Sequence, residues 1–314
     1  MRLIVLGSAA GGGVPQWNCA CSNCASARIG GDVEPRTQDS VAVSADARRW
    51  VLLNTSSDVV RQLEATPEMW PVINSRSAGE GTVRGASPLA AVVLTNGDLD
   101  HCLGLLSLRE WTPYSLYATE ETQSGLFERN VVFRTLNRQR PHLVRRDLPL
   151  DDWTPLLDAG GGALGLSIRA FPVPGKLPLH LEPFGTSTPG TNVGLLVEQA
   201  STGARLAYVP GVGAVSEWVR ELDSVGCLLL DGTFFRDDEL CEHGAPGKTA
   251  RSMAHVPMDG RDGTLETLAH LSVPFRYFTH VNNTNPVLNP HSEERRAIRA
   301  RGWKVATDGL RLEL

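Results

Sequence analysis

The spacing of apolar residues along the chain predicts alternating strands and helices. Short apolar runs, typical of buried strands, end in polar residues or glycines, and several are followed by leucines at helical spacing. The predicted strands cover 1–7, 40–44, 50–54, 89–95, 166–173, 193–198, 205–209, 226–230 and 276–280, and a last short strand closes the chain. The predicted helices cover 58–64, 98–110, 215–222, 264–271 and 293–301.

Two segments show neither the helical nor the strand spacing of apolar residues. Residues 8–38 are predicted to be a long loop rich in Gly, Pro, Asn and Cys, and residues 71–88 an irregular insertion rich in Ser and Gly. Strands and helices intermingle along the rest of the chain, which favours an α/β fold in layers. Because no linker divides the sequence, we expect a single domain over 1–314.

Composition and charge narrow the class of protein. Hydrophobic residues make up 41% of the 314 residues, which is enough for a sizeable core. The net charge of -5 and the lack of a basic patch argue against a nucleic-acid partner. No apolar stretch approaches the roughly 20 residues that a membrane span needs, and the N-terminus has no signal-peptide pattern. We therefore expect a cytoplasmic protein with no membrane span.

Half of the six cysteines are clustered. Cys19, Cys21 and Cys24 have the spacing C-x-C-x-x-C within the loop 17–26. In a cytosolic protein this spacing is more typical of a metal site than of disulfides, and three thiolates can occupy three corners of a tetrahedral zinc site. The sequence predicts a structural zinc here, with a fourth ligand from elsewhere in the chain. The remaining three, Cys102, Cys227 and Cys241, are scattered and are predicted to be reduced thiols.

Four side chains that commonly bind metals follow or end apolar strands. Strand ends deliver side chains to a shared cleft, so their recurrence there indicates a second metal site. His255, on a predicted loop, is a fifth candidate. The four predicted ligands are Asp100, His101, Asp231 and His280.

The segment LTNGDLDH (94–101) resembles the H-x-H-x-D-H motif of the metallo-β-lactamase superfamily. This resemblance implies an αββα sandwich of two mixed β-sheets flanked by helices. The final Asp-His of the motif is intact, but Asn96 and Asp98 stand where the two earlier histidines would be. Thr191, in PGT (189–191), stands where another histidine would be. Because neutral Asn and Thr oxygens are poor ligands for transition metals, the resemblance implies one metal rather than two.

Further segments resemble the family of protein B of pyrroloquinoline quinone (PQQ) synthesis. They follow one another in order along nearly the whole chain. They are VLGSAAGGG (5–13), PQWNC (15–19), RTQ (36–38), GLLSLRE (104–110), DGT (231–233) and HVNNTNP (280–286).

This family resemblance implies a role in making PQQ from a precursor peptide that contains Glu and Tyr. Family members look like Fe(II)- and O2-dependent hydroxylases of the tyrosine ring of a cross-linked Glu-Tyr product, and zinc would also bind such a ligand set. Two alternatives remain: a carrier that helps PQQ leave the cytoplasm, and a zinc hydrolase based on the fold alone. Two kinds of macromolecular partner are compatible with the resemblance. They are other PQQ pathway proteins and further copies of this chain in a homo-oligomer.

Roles beyond metal binding are also predicted. Asp98 is expected to act as an acid/base group, and His255 as a ligand or a proton donor. Arg36 and Arg109 are expected to bind substrate carboxylates, since a guanidinium matches a carboxylate with two hydrogen bonds. The glycine run 11–13 lacks the spacing of a nucleotide-binding loop and is expected to let the backbone approach the metal cleft.

Overall fold

A computed structural model describes residues 1–72, 86–110, 112–139, 143–244 and 246–314. Most of the predicted insertion at 71–88 lies outside these residues, and its described flanks, Val72 and Ala86, form an antiparallel bridge. Within the described ranges, no helix has the length and apolar character that a membrane span requires.

The first sheet has seven strands and is mixed. Its order is β14-β1-β2-β3-β4-β5-β6, antiparallel from β14 to β3 and parallel from β3 to β6. Its strands are β1 (Arg2–Gly7), β2 (Ser40–Ser44), β3 (Trp50–Leu53), β4 (Leu89–Val93), β5 (Tyr114–Ala118), β6 (Leu143–Asp147) and β14 (Arg311–Glu313).

The second sheet is its counterpart, with order β13-β12-β11-β10-β9-β8-β7. It is parallel from β13 to β10 and antiparallel from β10 to β7. Its strands are β7 (Thr154–Leu157), β8 (Ala163–Pro172), β9 (Val193–Gln199), β10 (Ala204–Val209), β11 (Cys227–Asp231), β12 (Phe275–Thr279) and β13 (Lys304–Val305).

Three apolar clusters make up the core. The middle cluster joins the facing sides of the two sheets, for example Val43 and Val93 of the first with Ile168 and Leu229 of the second. The outer clusters pack helices against the other face of each sheet. Parallel strands that are buried on both faces have nearly continuous runs of apolar residues in their sequence. For this reason β4 and β11 could be predicted from the sequence. The predicted αββα sandwich is therefore confirmed.

The helices are short. Seven α-helices and seven 3-10 helices lie in the described part of the chain. The α-helices are α1 (Ser22–Arg28), α2 (Val59–Glu64), α3 (Leu99–Cys102), α4 (Glu120–Phe127), α5 (Glu239–Glu242), α6 (Thr264–Thr267) and α7 (Glu293–Ala300). The 3-10 helices are Pro67–Met69, Leu103–Leu106, Phe133–Gln139, Glu182–Phe184, Glu217–Leu222, Arg251–Met253 and Pro286–Leu288.

Several predicted elements differ from the structure. The predicted helix 98–110 is only α3 followed by a 3-10 turn, and 215–222 is a 3-10 helix. Leucine spacing cannot distinguish one buried turn from a long helix. The predicted loop 8–38 contains α1, which has no side-chain cap that would mark its start.

Candidate metal centres

Both sheets deliver the predicted ligands to the same edge of the sandwich. Asp100 and His101 lie in α3, just after β4 of the first sheet. Asp231 ends β11 and pairs in register with Thr279 at the end of β12, directly before His280. Since parallel strands end at one edge, this topology brings residues distant in sequence into one cleft.

Asp100, His101 and His280 form a compact group, here called the Asp/His cluster. One ligand atom from each lies within 4.8 Å of the others, and His280 Nε2 is 3.2 Å from Asp100 Oδ2. His101 Nε2 is buried and has no hydrogen-bond partner in the described part of the chain. A buried nitrogen without a partner is costly unless it binds something. Two imidazoles and one carboxylate with an unpaired nitrogen thus suit a transition metal.

Asn96 fixes the ring of His101. Its Oδ1 lies 2.8 Å from His101 Nδ1 and also accepts from the backbone N–H of Asp98. Its Nδ2 donates to Asp98 Oδ2 at 3.0 Å and to Asn192 Oδ1 at 3.2 Å. Because the amide oxygen only accepts, Nδ1 of His101 carries the proton and Nε2 keeps its lone pair. The sequence motif indicates only that Asn96 is a poor metal ligand, and it does not predict the contact of Asn96 with His101.

Asp231 and His255 form a second group with His280, again with ligand atoms within 4.8 Å of one another. Asp231 Oδ2 lies 2.7 Å from His255 Nδ1 and accepts from the backbone N–H of Val212. Asp231 Oδ1 accepts from the backbone N–H and the hydroxyl of Thr233. The four predicted ligands therefore lie together, but Asp231 holds His255, and His280 belongs to both groups.

Burial and charge set the protonation of the Asp/His cluster. Burial lowers the pKa of His101 to about 4, which keeps the ring neutral. Burial would lower the pKa of His280, but the hydrogen bond and charge of Asp100 outweigh it and raise the pKa to about 9. Burial would raise the pKa of Asp100, but His101, charged at the low pH where Asp100 titrates, and the hydrogen bond and charge of His280 hold that pKa below its usual range. Burial and the charge of Asp100 raise the pKa of Asp98 to about 6.

A buried hydrogen-bond chain supports His101 from between the sheets. Thr95 Oγ1 lies 3.3 Å from His101 Nδ1 and bonds to Asn54. Asn54 Nδ2 donates to the hydroxyl of Tyr208, which donates to the carboxylate of Asp39. Burial raises the pKa of Asp39 to about 6. These hydrogen bonds thus connect the wall of the cleft to the interior of the fold.

The glycine run also reaches the cleft, as expected from sequence. A Cβ on Gly11 would lie 3.1 Å from Asp100 Oδ2. Only a residue without a side chain lets the backbone pass this close to the carboxylate.

Cys19, Cys21 and Cys24 are free cysteines and form the Cys cluster, with sulfurs within 4.8 Å of one another. The backbone N–H of Gln16 points at Cys24 Sγ, 3.3 Å away, and the N–H of Cys21 at Cys19 Sγ, 3.5 Å away. Such N–H groups stabilise negative charge on sulfur. Three adjacent sulfurs suit zinc.

Asn283 brings a distant amide to the Cys cluster. Its side-chain amide lies 3.3 Å from Cys24 Sγ, and its backbone oxygen accepts from Asn23 Nδ2 at 3.0 Å. The oxygen and nitrogen of an amide are assigned from their surroundings, and a turned amide would place an oxygen beside the sulfurs. The sequence leaves the identity of a fourth ligand open, and in the structure this side chain lies beside the sulfurs.

Comparison with known proteins agrees with this geometry. The family model described as a Beta-lactamase superfamily domain matches residues 49–281. A coenzyme PQQ synthesis protein B from Methylobacterium sp. (strain 4-46) is 46% identical, with all of both chains covered. One from Bradyrhizobium diazoefficiens is 38% identical, again over all of both chains. The chain belongs to the coenzyme PQQ synthesis protein B family.

Solved structures place the PQQ synthesis protein B family within the metallo-β-lactamase fold. The crystal structure of Zn(2+)-bound PqqB from Methylobacterium extorquens is 43% identical, covers all of both chains and has a TM-score of 0.89. A diphosphatase of the PhnP family is 23% identical over all of this chain and 97% of its own, with a TM-score of 0.64, and shares the fold alone. The predicted fold and family are confirmed.

Arg36 and Arg109 were predicted to bind substrate, and both side chains make contacts within the protein. Arg36 is buried, and its guanidinium donates to Ser8 Oγ and to the backbone oxygen of Ala306. Arg109 is exposed, donates to the backbone oxygen of Leu106 and lies 3.6 Å from Glu110. These internal contacts occupy part of the Arg36 guanidinium, but Arg36 also lines a surface cavity with Gly12 and Gly13, so its role in binding substrate stays a prediction. Among the described residues, Arg109 makes no hydrogen bond or ion pair with the Asp/His cluster.

Proposed function

We propose that this chain acts in PQQ biosynthesis as an Fe(II)- and O2-dependent hydroxylase of the tyrosine ring of a Glu-Tyr precursor. The pathway follows from the names of its relatives. The observation that carries the reaction class is the Asp/His cluster, two imidazoles and one carboxylate with an unpaired buried nitrogen on His101. This is the ligand set typical of non-haem iron oxygenases.

The residues of the cluster fit a single metal. Asp100, His101 and His280 would hold it, and Fe(II) when bound supplies oxygen activation and redox chemistry. At the positions of the superfamily's first metal, Asn96 and Asp98 bond to each other. Zinc remains an alternative, because the relative from Methylobacterium extorquens is described as Zn(2+)-bound.

The protein's own groups would orient the substrate and move protons. Asp231 holds Nδ1 of His255, so Nε2 is the nitrogen that can give or take a proton. Asp98 keeps a carboxylate beside the cleft, held by Asn96. We propose His255 as the proton donor and Asp98 as the acid/base group. The walls of the two sheets would keep water from the reacting ring.

We also propose a structural zinc at the Cys cluster, with Asn283 as the fourth ligand. Three thiolates and one amide close a tetrahedron and leave no position for substrate. Thiolate ligands must stay reduced, which favours the cytoplasm as the location. Delivery of the precursor by other PQQ pathway proteins would be compatible with this site.

Anaerobic reconstitution tests the reaction. The protein is loaded with Fe(II), mixed with a cross-linked Glu-Tyr compound and exposed to O2, and products are analysed by mass spectrometry. We expect the substrate to gain oxygen, and His101→Ala to abolish both the gain and iron binding. His270→Ala, which changes an exposed histidine, is the matched control.

Other outcomes would favour the alternatives. Unchanged substrate with iron bound and tight binding of PQQ would support the carrier. Turnover of a phosphodiester probe by the zinc-loaded protein would support the hydrolase, and either result would overturn the hydroxylase.

A further inference from the structure

A cavity of about 260 Å³ lies beside the turn that leads into α3, the helix that carries Asp100 and His101. Gly97 lines it, and the chain neighbours of Gly97 are Asn96 and Asp98. Thr191, at the position of the superfamily's missing histidine, lines the same cavity. Because neighbouring Cα atoms are about 3.8 Å apart, Gly97 places the wall of the cavity next to two residues that face the Asp/His cluster.

The cavity is formed between α4 and the segment 177–191. Leu181 is buried and anchors this segment, since a Cβ on Gly125 would lie 2.5 Å from Leu181 Cδ1. A Cβ on Gly97 would lie 3.5 Å from Pro178 Cγ. Gly125 thus lets the segment pack closely against α4, and the apolar wall of the cavity is fixed by this packing.

Two opposite charges line the cavity without pairing. Glu121 lies in the first turn of α4, and Arg129 follows its end. Within the ranges that the structure describes, neither side chain has an ion-pair or hydrogen-bond partner. The Glu121 carboxylate packs over Gly190, where a Cβ would lie 2.4 Å from Oε2. A site with a separated carboxylate and guanidinium suits a ligand that carries both charges.

We propose that this cavity binds the α-ammonium and α-carboxylate groups of the glutamyl end of the substrate, with Glu121 and Arg129 as their respective partners. This inference rests on the proposed function, because the ring to be hydroxylated must lie at the Asp/His cluster. The methylenes of the glutamyl side chain match the wall at Leu181, and the half-exposed ring of Phe184 adds a second apolar surface to the lining.

Binding without turnover tests the cavity. Equilibrium dialysis of the cross-linked Glu-Tyr compound under anaerobic conditions gives Kd for the wild type, Arg129→Gln and Glu121→Gln. We expect each variant to bind about 10-fold more weakly, because each removes one charge-assisted hydrogen bond. Arg48→Gln removes an exposed positive charge from the β2–β3 turn and should leave Kd unchanged.

A substrate analogue that lacks the glutamyl α-amine assigns the contact. The wild type should bind it about 10-fold more weakly than the parent compound, whereas Glu121→Gln should bind both equally. In turnover, Arg129→Gln should raise KM rather than lower kcat.

Wild-type affinity in Arg129→Gln, or an amine penalty that persists in Glu121→Gln, would overturn the proposal for the cavity. Oxygen incorporation with such unchanged affinities would leave the hydroxylase standing. Binding that depends on Arg129 without oxygen incorporation would support the cavity and overturn the hydroxylase.

Discussion

The Cys cluster and the Asp/His cluster are assembled in different ways. The three thiols lie within six residues at the start of α1, and the side chain of Asn283 approaches them from a distant part of the chain. The Asp/His cluster joins segments about 180 residues apart, which only the packing of two sheets brings together. A local cluster with four donors can close around a metal and stabilise a loop. A cluster assembled from both sheets faces a cleft and keeps an unpaired nitrogen for chemistry.

Breaking the Cys cluster should have the largest effect on stability. Cys24→Ser should lose zinc and lower the free energy of unfolding by several kcal/mol, a fraction of the ~10–16 kcal/mol of zinc-finger sites because the sandwich has its own core. Metal analysis and thermal denaturation measure both effects. Cys227→Ser, at another buried cysteine, reports the cost of a buried hydroxyl alone. Equal losses in the two variants would contradict a zinc site.

Substitutions beside the Asp/His cluster should change the affinity for metal more than the free energy of unfolding. Asn96→Ala removes the acceptor that holds His101, and we expect iron to bind about 10–100-fold more weakly. Asn192→Ala removes a partner of Asn96 but no contact with His101, so its effect should be smaller. Iron titration monitored by absorbance separates them. Identical affinities would show that Asn96 does not position the ring.

The hydrogen-bond chain behind the Asp/His cluster should contribute less. Tyr208→Phe leaves Asp39 and Asn54 short of a partner, and we expect a loss of about 1–3 kcal/mol in the free energy of unfolding. Tyr114→Phe is the matched control, because its buried hydroxyl has no partner among the described residues and its removal should cost nothing. Denaturant unfolding measures both, and equal values would contradict a supporting role for the chain.

The smallest effect is expected beneath the Cys cluster and depends on pH. Glu239 is buried, accepts from Thr284 Oγ1 beside Asn283, and burial raises its pKa to about 7. The folded protein therefore holds this proton while the unfolded chain releases it near its usual pKa of about 4.5, so stability falls as pH rises from about 4.5 to 7.

Glu239→Gln should remove this part of the pH dependence and be more stable than the wild type at pH 8, by on the order of 1–3 kcal/mol. Urea unfolding at pH 5 and pH 8 measures the difference, with Glu128→Gln, at an exposed position, as the control. Parallel pH profiles for wild type and Glu239→Gln would contradict the assignment.

Sequence patterns predicted the elements that are buried on both faces. β4 and β11 are nearly continuous apolar runs, and they lead to the predicted ligands: Asp231 ends β11, and Asp100 lies in the helix that follows β4. The patterns missed β5, where serine and tyrosines alternate with apolar residues although every position is buried. They also overestimated the helix after β4, because its leucines pack into the core from a 3-10 turn rather than from a long helix face.

Local patterns and motifs encode the family, the sandwich, the cluster of cysteines and the residue types of the cleft, so each could be predicted from sequence. How those residues pair with one another depends on the tertiary fold. It assigned Asp231 to His255, gave Asn96 the ring of His101 and brought Asn283 to the cysteines. These contacts depend on hydrogen-bond geometry between distant segments, which spacing along the chain does not contain. For the same reason the burial of Arg36 and its contact with Ala306 could not be predicted from the sequence.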